Sequence, residues 1–131
     1  MLNQLLPRRT RAIFTACALV LASAALTGCK TAPQPLYDWG PYQAKVYEQF
    51  KGTGNGPEAQ ISELEEHLNE AESAQHKLPP GYLAHLGYLH LMAGHNDKAA
   101  NYWTLEKNAY PESATFMNFL IKNLKKQEAK R

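Results

Sequence analysis

The sequence predicts an all-α protein of about five helices packed as compact hairpins, following a signal peptide. Three observations carry that expectation. Apolar residues recur at steps of three and four along most of the chain beyond residue 41, the spacing that puts them on one face of a helix. Proline and glycine break the pattern at residues 52–57, 79–81, 94 and 111, so the periodic stretches have helical lengths. No stretch alternates polar and apolar residues for long enough to make a convincing strand.

The start of the chain has its own logic. Arg8, Arg9 and Arg11 cluster positive charge ahead of an uncharged run from Ala12 to Leu26. At 15 residues that run suits the apolar core of a signal peptide and falls short of the ~20 needed for a permanent membrane span. Leu26-Thr27-Gly28-Cys29 then has the shape of a lipobox: an aliphatic residue, two small residues and a cysteine. Lipid attachment needs the thiol, and cleavage between Gly28 and Cys29 needs small neighbours. The competing explanation is a plain signal peptide ending in a chance cysteine. Charge, apolar run and quartet agree in order and spacing, which favours lipidation at Cys29. Lys30 follows. In one bacterial sorting code an aspartate there retains lipoproteins in the inner membrane, so Lys30 favours a lipid anchor in the outer membrane, facing the periplasm.

Cleavage would leave residues 29–131, a chain of 103 residues and enough for one small domain. Lys+Arg falls from 14 to 11 against an unchanged 12 Asp+Glu, so the formal charge passes from +2 to −1. The basicity belongs to the signal and gives no reason to expect nucleic acid. Cys17 leaves and Cys29 carries lipid, so no disulfide is expected, and stability must come from packing.

Residues 29–36 are short, polar and rich in proline, a lipidated tether. An aromatic cluster broken by Gly-Pro follows: Tyr37, Trp39 and Tyr42. The helical domain is expected over residues 37–124. Its first helix runs from Tyr42 to Lys51, with Val46, Tyr47 and Phe50 as the apolar face. Pro57 suits the first position of a second helix, where a missing N–H costs nothing. There Ile61, Leu64, Leu68 and Ala71 form one stripe, and Glu58, Glu63, Glu65, Glu66, Glu70 and Glu72 are taken as solvated. A third helix, Tyr82 to Ala93, packs through Leu83, Leu86, Leu89 and His90, and Gly94 ends it. Asn96 is placed to cap a fourth helix through its side chain. That helix reaches about Ala109, with Ala99, Tyr102, Trp103 and Glu106 in register. Pro111 opens a fifth, expected to bury Phe116, Phe119, Leu120 and Leu124. The charged tail, residues 125–131, is expected to fray.

The third and fourth helices together span about one 34-residue tetratricopeptide unit. Leu83, Leu86, Gly87, Ala99, Trp103 and Pro111 sit at that repeat's offsets. Gly87 and Ala99 lack bulk, so the two helices can cross closely while Trp103 fills the space beside them. His90 stands where the pattern has tyrosine, and Glu106 where it has a second alanine. Only one repeat is clear, so a compact tetratricopeptide-like block is expected rather than a solenoid. Residues 114–124 resemble the first helix of a following unit, with Met117 and Leu120 in register.

The chain also resembles a family of small bacterial lipoproteins defined only by a domain of unknown function. The resemblance runs from about residue 37 to 124. It rests on Tyr37-x-Trp39-Gly40-x-Tyr42, Leu78-Pro79-Pro80-Gly81 and Ala84-His85-Leu86-Gly87, then Gly94, Ala99, Glu106-Lys107 and Pro111-Glu112-Ser113. Members tend to be encoded beside two other lipoproteins, one resembling the curli-secretion pore family. That implies an envelope assembly and identifies no chemistry.

No catalytic residue is assigned. His85, His90 and His95 are five apart, so each turns about 140° from the last on a helix and they cannot share one ion. His67 and His76 lie elsewhere, and no metal or other cofactor is expected. Residues 52–56 are glycine-rich but lack the lysine and upstream strand of a phosphate loop. Glu65 and Glu66 are adjacent and diverge, a poor acid–base pair for glycan cleavage.

A binding surface remains. Tyr37, Trp39 and Tyr42 either anchor a partner or tuck against the helical block, the second being favoured. His85, Tyr88 and Met92 share the face of the third helix that lines the groove of tetratricopeptide proteins. The expected function is a lipid-anchored periplasmic adaptor that binds another envelope lipoprotein or periplasmic protein. The alternative is a regulatory lipoprotein that activates a cell-wall synthase or hydrolase by contact.

Overall fold

The computed structural model describes residues 35–130. The expected signal peptide, the expected cleavage between Gly28 and Cys29, and the expected tether up to residue 34 lie outside the described residues. Among the described residues five α-helices form and no strand does. They are α1, Tyr42–Lys51; α2, Pro57–Ser73; α3, Tyr82–Met92; α4, Asn96–Ala109; and α5, Ala114–Glu128. A single 3-10 turn, Pro111–Ser113, leads into α5. Among the described residues no helix is long and apolar enough to cross a membrane.

The helices pack in chain order: α3 with α4 most extensively, then α4 with α5 and α2 with α3. Two cores result, and α3 lies between them. The first joins Ile61 and Leu64 of α2 to Tyr82, Leu86 and Leu89 of α3. The second joins Ala99 and Trp103 of α4 to Met117 and Leu124 of α5, with Ala84 and Leu91 of α3 against it. Burying each large side chain contributes about 1.5–3 kcal/mol. The unit from Pro35 to Arg131 holds both cores within itself.

The α3–α4 crossing works as its small residues predict. A Cβ on Gly87 would stand 2.6 Å from Trp103 Nε1 and 3.1 Å from the Ala99 carbonyl oxygen. Trp103 Nε1–H donates to the Ala84 carbonyl at 3.1 Å, so the indole ties the two helices as well as filling the gap. Only a hydrogen fits at residue 87.

Four expectations are corrected. In α1 the face expected from Val46, Tyr47 and Phe50 points outward at its far end: Tyr47 is 60% and Phe50 87% exposed. The inward stripe is Tyr42, Lys45 and Gln49, because α1 lies along the polar flank of α2. Lys45 is buried, and its ammonium bonds Glu63 at 2.8 Å and Glu48 at 3.2 Å. In α5 the stripe is Met117, Leu120, Ile121 and Leu124, which leaves Phe116 and Phe119 exposed at 60% and 58%. Asn96 does not cap α4; its amide donates instead to Glu128 at 2.9 Å. That bond helps hold the first part of the charged tail, so α5 continues to Glu128 rather than fraying at Lys125.

Candidate functional site

The segment ahead of α1 is strapped to the block by Asp38. Its backbone N–H donates to the Lys77 carbonyl at 2.8 Å. Its carboxylate accepts from His76 Nδ1 at 3.0 Å and from His67 Nε2 at 3.1 Å. The bond from His76, with that from His67, holds the Asp38 carboxyl below its usual range despite some opposing desolvation. Gly40 takes φ +39°, and a Cβ there would lie 2.2 Å from the His67 ring. The strap therefore sits flush against α2. His67 and His76, separate in sequence, converge on one carboxylate.

This strap places the aromatics. Tyr37 meets Trp39 edge-on at 6.4 Å, and Trp39 stacks on Tyr42 at 6.2 Å. Tyr42 packs 5.3 Å from Tyr82 and 5.9 Å from His85, and His85 is 6.3 Å from Tyr88. Met92 continues the line one turn on, its sulfur accepting from Gln49 Nε2 at 3.3 Å. The six candidate residues, expected as two separate groups, thus form one row from the strap across α3. Tyr37 and Tyr42 are half-buried, as tucking requires, while Trp39 (42%), Tyr88 (43%) and Met92 (48%) stay exposed. Burial pushes the His85 imidazole below its ordinary pKa, which favours the neutral ring. Below the row Lys77 Nζ lies 5.4 Å over Tyr37 and 5.3 Å over Tyr110, and the Tyr110 hydroxyl donates to the Leu78 carbonyl.

Two polar junctions were missed at the level of sequence. Glu65 is no solvated residue: its Oε1 accepts from Tyr102 at 2.9 Å and from His90 Nε2 at 3.1 Å, with Lys98 at 3.8 Å. Burial pushes its carboxyl up, but the bonds from Tyr102 and His90 and the charge of Lys98 together hold it below its ordinary value. His90 stacks on Tyr102 at 5.1 Å and meets His95 at 3.4 Å, Nδ1 to Nδ1. Burial lowers the His90 pKa against the opposing pull of Glu65. Position 65 is four residues beyond Ile61 and three before Leu68, so its spacing already put it on the edge of the apolar stripe. Glu106 is fully buried and accepts backbone N–H bonds from Gly81 at 2.7 Å and Ala84 at 3.3 Å. Burial raises its carboxyl pKa, opposed by those amide bonds. The departure from the tetratricopeptide pattern at 106 is thus a cap for α3, supplied from α4.

Among the described residues no group of three or more His, Cys, Asp or Glu side chains is arranged to hold a metal ion. An open groove of about 500 Å³ runs between Leu68, Leu78, Leu83, Leu105 and Tyr110.

A family model, a domain of unknown function designated DUF4810, matches residues 36–120, more than half of the chain. The chain belongs to the DUF4810 family. The DUF4810 match spans α1 to α4, the first half of α5 and the whole aromatic row. No curated protein and no solved structure matches the chain.

Proposed function

We propose that this DUF4810 chain is a lipid-anchored adaptor, held through Cys29 at the outer membrane and binding another envelope protein through its aromatic row. One observation carries the binding half: Trp39, Tyr88 and Met92 are exposed on a row whose backbone is pinned by Asp38 and by the α3–α4 crossing. Aromatic side chains on a rigid support bind partners at little ordering cost, a thioether adapts to the partner's shape, and tryptophan and tyrosine are the residues on which interfaces most depend. The close approach at Gly87, Ala99 and Trp103 supports a tetratricopeptide-like hairpin, whose first helix presents such residues to a protein segment. The lipobox supports the anchor. Residues 29–36 can extend no more than about 29 Å, which would keep the row near the membrane. The partner class is a second periplasm-facing lipoprotein or periplasmic protein.

The test joins both halves. Crosslinking of the tagged full-length chain in intact cells, then capture from detergent-solubilised membranes, should give a defined partner. That partner should be lost with Tyr88→Ala plus Met92→Ala, while circular dichroism stays unchanged. Equal capture by wild type and variant would remove the row from the function. Cys29→Ser should leave the chain unlipidated and out of the membrane fraction; unchanged fractionation would remove the anchor.

A further inference from the structure

We propose that the outer face of α5 is a docking surface for an anionic lipid bilayer. This goes beyond the adaptor function and does not depend on the lipid anchor. The helix divides sharply. Met117, Leu120, Ile121 and Leu124 face the α4 core. On the outer side Phe116 and Phe119 lie exposed at 60% and 58%, their rings 6.5 Å apart and only 15° from parallel. Phe119, Lys122 and Lys126 follow one another at steps of three and four, so the two ammonium groups continue the stripe that the phenylalanines begin. Lys122, Lys125, Lys126 and Lys130 are all exposed. The acid within the helix, Glu128, is turned toward α4, where Asn96 binds it.

Charge decides the occupant. The face offers apolar rings and several cations together, so its complement must present negative charge and apolar surface side by side. The most acidic surface on this chain is the outer side of α2, with Glu58, Glu63, Glu66 and Glu70 exposed. Its exposed positions hold mainly glutamate, serine and asparagine, so a second copy docked there could satisfy the lysines and would leave the phenyl rings in water. The exposed Tyr47 and Phe50 of α1 carry the Lys51 ammonium beside them and would repel the lysines. An anionic bilayer satisfies both groups at once, with phosphates at the level of the ammonium groups and the acyl boundary beneath for the rings. Each lysine held at such a surface is worth about fivefold in binding constant.

The unit Pro35–Arg131 has both cores and no lipid, so it isolates this contact. Its co-sedimentation would be measured with vesicles of phosphatidylcholine alone and with vesicles containing phosphatidylglycerol. Binding should be at least about tenfold stronger to the anionic vesicles and should fall as salt is raised. Lys122→Glu with Lys126→Glu should remove most of that preference. Phe116→Ser with Phe119→Ser should weaken binding about tenfold while leaving helix content intact, since neither ring is in the core. Equal binding to both vesicle types, or anionic binding unaffected by either pair of changes, would overturn the proposal. Concentration-dependent self-association that the phenylalanine changes abolish, without vesicle binding, would give the face to a second copy and would overturn it too.

Discussion

Glu106 Oε1 accepts a hydrogen bond from the backbone N–H of Gly81 at 2.7 Å, so a side chain near the end of α4 holds the beginning of α3. The first N–H groups of any helix lack partners within the helix, and here a buried carboxylate supplies them from across the hairpin. The alanine that the tetratricopeptide pattern favours at this position should therefore be the wrong residue for this chain. Glu106→Ala should cost about 1–3 kcal/mol by leaving amides unpaired, and Glu106→Gln should cost less because one oxygen still accepts. Urea midpoints of the two variants decide it. Equal midpoints for alanine and wild type would show that the cap adds nothing.

A second prediction concerns pH. Burial lowers the pKa values of His85 and His90 from an ordinary 6.5. Unfolding then takes up protons on the acid side, so their contribution is complete above 6.5 and declines as pH falls toward the folded values. Glu65 and Asp38, also lowered, act in the same sense further down, losing their contribution below 4.5 and 3.8 respectively. Glu106 runs the other way. Its raised carboxyl pKa makes its contribution complete below 4.5 and smaller as pH rises through the folded value. His90→Gln keeps a donor toward Glu65 but cannot titrate. Its stability should fall less than that of wild type between about pH 7 and pH 5, as read from denaturant midpoints across that range. An unchanged slope would mean that His90 is not a source of it.

Gly87→Ala tests the close crossing. Alanine is the better helix former by about 1 kcal/mol, which alone would stabilise α3. The added carbon, however, would stand 2.6 Å from the Trp103 ring nitrogen, and overpacking a tight core costs about 1–3 kcal/mol. A net loss of stability is expected. In a Trp103→Leu background the same change should do less harm, and a thermal-melt double-mutant cycle measures the difference.

The strap gives a fourth prediction. Asp38→Ala removes both histidine bonds and should free residues 37–41 without unfolding the helices, because none of those five residues belongs to either core. Amide exchange at residue 38, whose N–H is bound to the Lys77 carbonyl, should accelerate about tenfold or more. Trp39 emission should shift to the red as its stack on Tyr42 loosens. Unchanged exchange would mean that ring packing alone holds the strap.

Much of the helical block was legible in the residues. Ile61, Leu64 and Ala71 are buried as their spacing requires, and so are Leu86, Leu89 and His90. Where expectation failed, the apolar residues gave two equally periodic answers. Phe116 and Phe119 are three apart, but so are Met117 and Leu120, and hydrophobicity alone cannot choose between adjacent stripes. In α1 the larger apolar residues lost to Lys45, because the neighbouring surface of α2 offered Glu63 rather than an apolar face, and Glu48 of α1 itself adds a second carboxylate.

The aromatic row shows the same division. Its members could be named as candidates from residue type and position. Their union could not, because it depends on Asp38 meeting His67 and His76 across 29 and 38 residues of chain.

Local information alone decided the number of helices, most of their boundaries and the glycine at the α3–α4 crossing, because periodicity, proline, glycine and side-chain bulk act over a few residues. Only the tertiary structure decided which stripe of α1 and α5 turned inward, which glutamates were structural and which aromatics met. Those outcomes depend on what the opposing surface offers, and a charge or a ring has no preferred partner until the fold brings one within a few ångströms.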